Sequence, residues 1–172
     1  RDKNIERVRQ LSKTDPTEMG TVLVWSLARP IGDDSKVLAL CDELIRSSTD
    51  SFTLLRILDG EAAAINFHLQ TLKEKKSLPS IAATLHRAIA QGDLRVQLAA
   101  AELLLSMGGT FRQGARNTYV TIFENAAGSQ LDDDVRWDLI RAIKGLLKSR
   151  DQKVVGAIRT LTEKQSLLKF FQ

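Results

Sequence analysis

The segment "DLRVQLAAAELLLSM", residues 93–107, decides the fold because apolar residues cover both sides of the helix that it predicts. At about 100° per residue, they form two opposite stripes. The stripes consist of Val96, Ala100, Leu103 and Met107 on one side, and of Leu94, Leu98, Ala101 and Leu105 on the other. A helix that is apolar on two opposite sides must be covered on both. The segment therefore predicts a helix in the middle of a stacked array, in which each layer buries the next.

Helical apolar spacing and helix start signals recur along the rest of the chain. Aspartates that suit the N-cap position precede the predicted helices, at Asp15, Asp33 or Asp34, Asp93, Asp132 or Asp133, and Asp151. We expect about ten helices, including a short one that follows Asp50 and ends at Gly60 and a last one that runs to about Phe170. No segment alternates apolar and polar residues for long enough to predict a strand. The fold class is therefore all-α.

The composition allows a globular domain and limits the partners and the cell compartment that we expect. The chain has 172 residues, 5% aromatic residues and a net charge of +4, a mild excess that permits nucleic acid or acidic proteins as partners without arguing for either. The single cysteine, Cys41, cannot form an internal disulfide, which favours a reducing, intracellular compartment, cytoplasmic or nuclear. There is no apolar run long enough for a membrane span. Because the chain begins at Arg1, we expect residues 1–172 to be a single helical-repeat domain from a longer protein.

Two segments resemble a known repeat. "GDLRVQLAAAELLLSMG" (92–108) is similar to the second helix of a HEAT repeat, which tends to begin with Asp, two residues and Val. "LDDDVRWDLIRAIKGLL" (131–147) looks similar, with Val135 matching Val96 at an offset of 39 residues, inside the roughly 40-residue period of such repeats. "SRDQKVVGAIRTL" repeats the opening at Asp151, as the first helix of a further pair would. The resemblance covers 79–161, whereas the helix starts expected upstream are spaced irregularly.

The resemblance implies a HEAT-like or armadillo-like α-solenoid of stacked antiparallel helix pairs; a non-repetitive helical bundle is the alternative. By analogy, HEAT-like arrays bind other macromolecules along a curved surface. We therefore expect a non-enzymatic protein–protein interaction scaffold. Some HEAT-like proteins resemble DNA-repair glycosylases, which hold an aromatic residue and an acid near a basic groove. Trp137 and Asp138 are adjacent, about 100° apart on a helix, which disfavours such a shared pocket.

No catalytic or metal-binding pattern in the sequence predicts an enzyme, a cofactor or a metal. His68 and His86 lie on different predicted helices without a further ligand at suitable spacing. The acidic run 132–134 could hold Mg²⁺, but negative charge at a helix amino end is also typical of capping, which we favour. The glycines of "GGTFRQG" follow a predicted helix rather than a strand, which indicates a helix stop rather than a phosphate loop.

The predicted helix at 132–150 carries the candidate binding surface. Its apolar face consists of Val135, Leu139, Ala142, Ile143 and Leu146. Its opposite face carries an aromatic residue and a line of cations, namely Trp137, Arg141, Lys144 and Lys148, with Arg150 just beyond. Such a line could contact a protein partner or follow a phosphate backbone, and Trp137 could equally cover a gap within the chain. The second tryptophan, Trp25, stands in an apolar run and is expected in the core.

Overall fold

The computed structural model describes residues 2–28 and 35–167, and within these ranges it contains nine α-helices and no strand. The helices are α1 (Asp2–Thr14), α2 (Pro16–Ala28), α3 (Ser35–Ser47), α4 (Ser51–Glu74), α5 (Leu78–Gln91), α6 (Leu94–Met107), α7 (Phe111–Ala127), α8 (Asp133–Leu146) and α9 (Gln152–Lys164). The all-α prediction is confirmed. The predicted cap at Asp33 or Asp34 and the predicted helix end at Phe170 lie outside the described residues.

Aspartate caps fix where five of the described helices begin, namely α2, α4, α6, α8 and α9. The side chains of five aspartates accept hydrogen bonds from backbone amides in the following first turn, namely those of Asp15, Asp50, Asp93, Asp132 and Asp151. The carboxylate oxygens lie 2.8–3.1 Å from the nearest of these nitrogens. Each such cap typically stabilises a helix by about 1 kcal/mol because it satisfies an amide that has no partner within the helix. The capping roles predicted for Asp15, Asp93 and Asp151 are confirmed.

Helix α6 is buried on both sides, as the sequence predicts. Val96 and Ala100 belong to an amino-terminal cluster of buried side chains that extends from Val8 to Ala115. Leu98 and Ala101, on the opposite side, belong to a carboxy-terminal cluster that extends to Leu167. Helix α6 therefore joins the two halves of the core.

The helices pack in a regular order. The even-numbered helices contact one another in the succession α2, α4, α6, α8, and among the odd-numbered helices α3 contacts α1 and α5, and α7 contacts α9. Helices that follow each other in sequence also pack, as α1 does on α2, α3 on α4, α5 on α6 and α6 on α7. Each of the helices α1 to α7 thus has neighbours both next in sequence and two places along, whereas α8 packs on α6 and α9 packs on α7.

Polar contacts between helices two places apart in the chain share a range of sequence separation, whereas Arg7 of α1 meets Glu18 of α2 at a separation of 11. The guanidinium of Arg9 donates to Glu43, 34 residues away, and that of Arg87 donates to Asp42 at a separation of 45. On the other half of the molecule, the amide of Gln165 donates to the carbonyl of Ala126 at a separation of 39. Between α7 and α9 the paired positions rise together along both helices, since Gln113 meets Asp151 and Ala126 meets Gln165, so these helices run parallel.

The predicted helix end at Gly60 is wrong. Gly60 lies inside the 24-residue helix α4, which reaches Glu74 with one non-helical residue at His68, and this accounts for nine helices instead of ten. Gly60 is buried against α2, where a Cβ built on it would lie 2.8 Å from the Cβ of Leu23. The missing side chain serves close helix packing rather than a helix stop. Without a start at 61, the even-numbered helices begin at 16, 51, 94 and 133, which also removes much of the irregularity upstream.

We expect Gly60→Ala to lower the free energy of unfolding by about 1–2 kcal/mol, because overpacking of about 1–3 kcal/mol outweighs a gain in helix propensity of up to about 1 kcal/mol. Gly156→Ala in α9 is the matched control, because no atom lies within 4 Å of the added Cβ. The control should gain about 0.5–1 kcal/mol from propensity alone. Urea unfolding measures both, and a Gly60→Ala protein as stable as the Gly156→Ala protein would contradict the close contact.

The prediction that Trp25 lies in the core is also wrong, since 61% of this residue is exposed. Helix α2 buries Met19, Leu23 and Leu27, which recur every four residues on one face. Trp25 is two residues from Leu23 and so lies about 200° around the helix, on the solvent side. The apolar residues around Trp25 extend beyond the buried face of α2, so the sequence pattern did not show which of them are exposed.

Candidate partner-binding surface

Helix α8 presents the two faces that its sequence predicts. Leu139, Ile143 and Leu146 are buried in the carboxy-terminal cluster, and Val135 and Ala142 pack against it half-buried. The cap at Asp132 fixes the amino end of the helix, with Oδ1 2.8 Å from the amide nitrogen of Val135. The opposite side of the helix faces solvent.

The predicted binding residues are all exposed, and Trp137 is 54% exposed. They are Trp137, Arg141, Lys144, Lys148 and Arg150. The prediction of a continuous helix over 132–150 is wrong at its carboxyl end, because α8 ends at Leu146 and Lys148 and Arg150 lie in the connection to α9. This connection stabilises the start of α9. Ser149 Oγ accepts a hydrogen bond from the backbone amide of Asp151, and the side chain of Asp151 caps α9.

Ion pairs join the amino ends of α6 and α8. Arg95 lies 3.2 Å from Asp138 through its Nε and 3.4 Å from Asp134 through a terminal nitrogen, and Arg141 lies 3.5 Å from the other oxygen of Asp138. The Nε of Arg95 is buried without hydrogen-bond geometry, so its contact with Asp138 is an ion pair only. Because these side chains are partly exposed, each pair contributes at most about 1 kcal/mol. Within residues 2–28 and 35–167, Lys144 takes part in no ion pair.

A groove of about 520 Å³ lies between α6 and α8. Its apolar lining includes Leu98 and Leu105 from α6 and Ala142 and Leu146 from α8. Gly145 of α8 also borders the groove, and no atom lies within 4 Å of a Cβ built on it. Small residues on α8 therefore leave room for a ligand side chain.

Charged and polar groups surround this apolar lining. Arg95, Asp138 and Arg141 border the groove with Glu102 of α6. Tyr119 of α7 also lines it, and burial, followed by the nearby charge of Glu102, raises the pKa of this phenol. Tyr119 thus stays neutral at physiological pH and supplies a hydroxyl rather than a charge. Trp137 is not among the groove-lining residues and stands beyond the groove on the solvent side of α8.

Sequence reasoning missed this groove, although a signal for it exists. Arg95 and Asp134 are 39 residues apart, which is the offset that relates the two HEAT-like segments. Aligning those segments places the ion-paired positions side by side. The sequence alone does not show that the small residues Ala142 and Gly145 leave a gap, because this depends on the position of the neighbouring helix α6.

The acidic run at 132–134 is engaged in capping and ion pairs. Asp132 caps α8, Asp133 binds Arg136 at 2.8 Å, and Asp134 pairs with Arg95. In the part of the chain that the structure describes, no group of three or more His, Cys, Asp or Glu side chains could hold a metal ion. The three carboxylates thus supply the cap of α8, one ion pair within α8 and one ion pair to α6.

The two histidines and the cysteine lie on three different helices. His68 is in α4, where its Nε2 is buried without a hydrogen-bond partner, and His86 is exposed on α5. Cys41 is fully buried, as predicted for a small apolar residue, and burial raises the pKa of its thiol, with the charge of Glu61 adding to the shift. Gly108 and Gly109, with φ of 69° and 51°, follow the end of α6, which confirms the predicted helix stop.

Comparison of the chain with family models, curated proteins and solved structures gives no significant match. The similarity to HEAT repeats thus remains a hypothesis from the sequence. None of the helices in the described ranges has the length and apolar character needed to cross a membrane.

Proposed function

We propose that this chain is a segment of an α-solenoid, a stack of antiparallel helix pairs, that acts as a non-enzymatic scaffold for protein partners inside the cell. The observation that carries the proposal is the recurrence of polar contacts between residues 34 to 46 positions apart, from Arg9–Glu43 to Gln165–Ala126. A repeat of about 40 residues stacked on itself produces such contacts in every layer. In a non-repetitive bundle, polar contacts between helices two places apart need not fall within such a range.

The packing order of the helices supports the same proposal. In a stack of helix pairs, first helices contact first helices and second helices contact second helices. The even-numbered succession α2, α4, α6, α8 has this form, and so do α1, α3 and α5, and α7 with α9. Stacked helices leave a continuous surface, and we assign partner binding to the side that carries Trp137 and Arg141.

We expect the double variant Trp137→Ala, Arg141→Glu to lose its protein partners in quantitative affinity capture from a lysate of the source cells. Buried tryptophan and arginine contacts are often worth about 2 kcal/mol or more, which is roughly thirtyfold in affinity. Trp25→Ala, Arg159→Glu is the matched control, because it changes an exposed tryptophan and an exposed arginine on α2 and α9. If the first variant folds and recovers the same partners as the control, this surface is not the binding site.

Nucleic acid is the alternative partner, favoured by the exposed cations Arg141 and Lys144 of α8 and Lys148 of the connection that follows it. The carboxylates of Asp134 and Asp138 lie beside them and reduce the attraction for phosphate. Nucleic-acid binding depends steeply on salt because it releases counterions. Anisotropy with duplex and single-stranded probes at low and physiological salt separates the two: salt-sensitive binding that the double variant abolishes would favour nucleic acid.

A further inference from the structure

We propose that the edge of the molecule at which α4, α6 and α8 end binds the phosphate backbone of a double-stranded nucleic acid without reading its sequence. This basic edge consists of residues 73–80, 106–116 and 144–154. The inference goes beyond the proposed function, because a scaffold for protein partners does not require such a site. It also places nucleic acid at the ends of the helices rather than on the face that carries Trp137 and Arg141.

Three connections between helices lie at the basic edge, namely 75–77 between α4 and α5, 108–110 between α6 and α7, and 147–151 between α8 and α9. Gln113 near the start of α7 donates a hydrogen bond to Asp151 just before α9, so the second and third connections lie together. Gln91 at the end of α5 donates to the carbonyl of Ser48 just after α3, so α4 and α6 start at the same, opposite edge. Because α4 and α6 also pack on each other, both lead to the basic edge.

Cations outnumber carboxylates at the basic edge. Its exposed cations are Lys73, Lys75, Lys76, Arg112, Lys144, Lys148, Arg150 and Lys153, and Arg116 is half-buried. Its carboxylates are Glu74 and Asp151, of which Asp151 is engaged as the cap of α9. No carboxylate occurs in the chain between Glu102 and Glu124 or between Asp138 and Asp151. The basic edge therefore carries a clear excess of positive charge.

The opposite edge is acidic, so charge is separated along the helix axes. The starts of α4, α6 and α8 carry aspartates there, namely Asp50, Asp93, Asp132, Asp133 and Asp134. Three arginines of this edge, Arg46, Arg95 and Arg136, are paired with carboxylates. A polyanion is therefore attracted to the basic edge and repelled from the other, although the net charge of the chain is only +4.

Helix formation does not explain two of these cations. A cation is favourable at the carboxyl end of a helix, as Lys73 is in α4, and unfavourable at the amino end. Arg112 and Lys153 lie in the first turns of α7 and α9. A negatively charged partner gives both side chains a role that their own helices do not.

The form of the basic edge favours a duplex over other polyanions. Packed helices lie about 8–10 Å apart, so the three connections span about 20 Å, or about six base pairs. A duplex carries one negative charge per about 1.7 Å, roughly twice the density of an extended acidic peptide. Of the described residues at this edge, Leu147 is the one large apolar side chain that is exposed. The edge thus lacks exposed aromatic rings for stacking single-stranded bases and an apolar face for entering a bilayer.

The probe is a fluorescein-labelled DNA duplex of about 20 base pairs, titrated with the protein by anisotropy at low and physiological salt. With about four phosphates contacted, the logarithm of the affinity should fall against that of the salt concentration with a slope of about −3.6, or roughly a hundredfold from about 50 to 200 mM. Two duplexes of unrelated sequence should bind within about threefold of each other, because phosphate contacts carry no sequence information.

The triple variant Lys73→Gln, Arg112→Gln, Lys148→Gln removes one exposed cation beside each connection. We expect duplex binding at least about tenfold weaker at low salt, and a salt slope reduced by up to about three. Lys13→Gln, Arg159→Gln, Lys164→Gln is the matched control, because it removes the same charge at exposed positions away from the basic edge. The control should bind within about threefold of the native chain, since salt screens distant charges.

Three results would overturn the assignment: no saturable duplex binding at about 50 mM salt up to about 100 μM protein, equal losses in the triple variant and its control, or equal affinity for polyglutamate or for vesicles with anionic lipid. The Trp137→Ala, Arg141→Glu variant should lose less duplex affinity than the triple variant, and the reverse order would move the site to that face of α8. If the duplex fails while affinity capture still depends on Trp137 and Arg141, the scaffold function stands and only the basic edge fails. Duplex binding without such capture would mean the opposite.

Discussion

Glu61→Gln is expected to remove a loss of stability that the native chain undergoes as the pH rises from about 5 to 9. Glu61 lies in α4 with 1% of its surface exposed, and its Oε2 is buried without a hydrogen-bond partner. Burial, with a smaller contribution from the charge of Asp42, raises the pKa of this carboxyl to about 8. The folded protein therefore holds Glu61 in the neutral, protonated form at neutral pH.

The sign of the pH dependence follows from proton binding in the two states. In the unfolded chain the carboxyl of Glu61 ionises near its ordinary pKa of 4.5, whereas in the folded chain it keeps its proton up to about pH 8. Between these values the folded state binds more protons, so the free energy of unfolding falls as the pH rises. Above the folded pKa both states are ionised and the fall ends. The shift corresponds to about 3–5 kcal/mol at about 1.4 kcal/mol per pKa unit.

Urea unfolding of the native chain and the Glu61→Gln variant at pH 5 and pH 9 measures this effect. The difference in stability between the two proteins should change in favour of the variant by about 3–5 kcal/mol, because all other titrating groups cancel in the comparison. Glu124→Gln, at an exposed position of α7, is the control and should leave the pH dependence unchanged. An equal difference at both pH values would show that Glu61 is ionised in the folded chain.

The sequence predicts well those features that depend on residues close together in the chain. The aspartate caps need only the following turn, and the double apolar face of α6 needs only the spacing of its own residues, so both could be predicted. The exposed line from Trp137 to Lys144 follows from the same periodicity. Two of the positions that were predicted wrongly, Gly60 and Trp25, depend on which side of a helix meets a distant partner.

The groove and the burial of Glu61 could not be predicted from the sequence. A glycine such as Gly145 can indicate a helix end, a close contact or an open space, and only the neighbouring helix distinguishes these. Glu61 follows Gly60 in a segment of small residues, where nothing in the local pattern marks a buried acid. Both features arise from contacts between residues far apart in the chain.

Phe123→Ala is expected to lower the free energy of unfolding by about 3–5 kcal/mol, because it removes a large side chain and leaves a cavity. Phe123 lies in α7, fully buried in the carboxy-terminal cluster, with its ring centroid 5.6 Å from that of Tyr119. Phe67→Ala is the matched control, because Phe67 is 66% exposed and its removal opens no cavity. The free energies of unfolding of the two variants, measured with urea, should therefore differ by most of this amount.

The distribution of the lost stability along the chain tests the stacked arrangement. In a repeat array each layer contacts only its neighbours, so a defect weakens its own layer and those adjacent. Amide hydrogen exchange of the Phe123→Ala protein should show protection lost most in α7 and α9, less in α6, and least in α2 and α4, whose buried side chains belong to the amino-terminal cluster. Equal loss of protection in all helices would indicate a single cooperative bundle. That result would remove the main support for a solenoid, because Phe123 could then influence α2 only through a core shared by the whole chain.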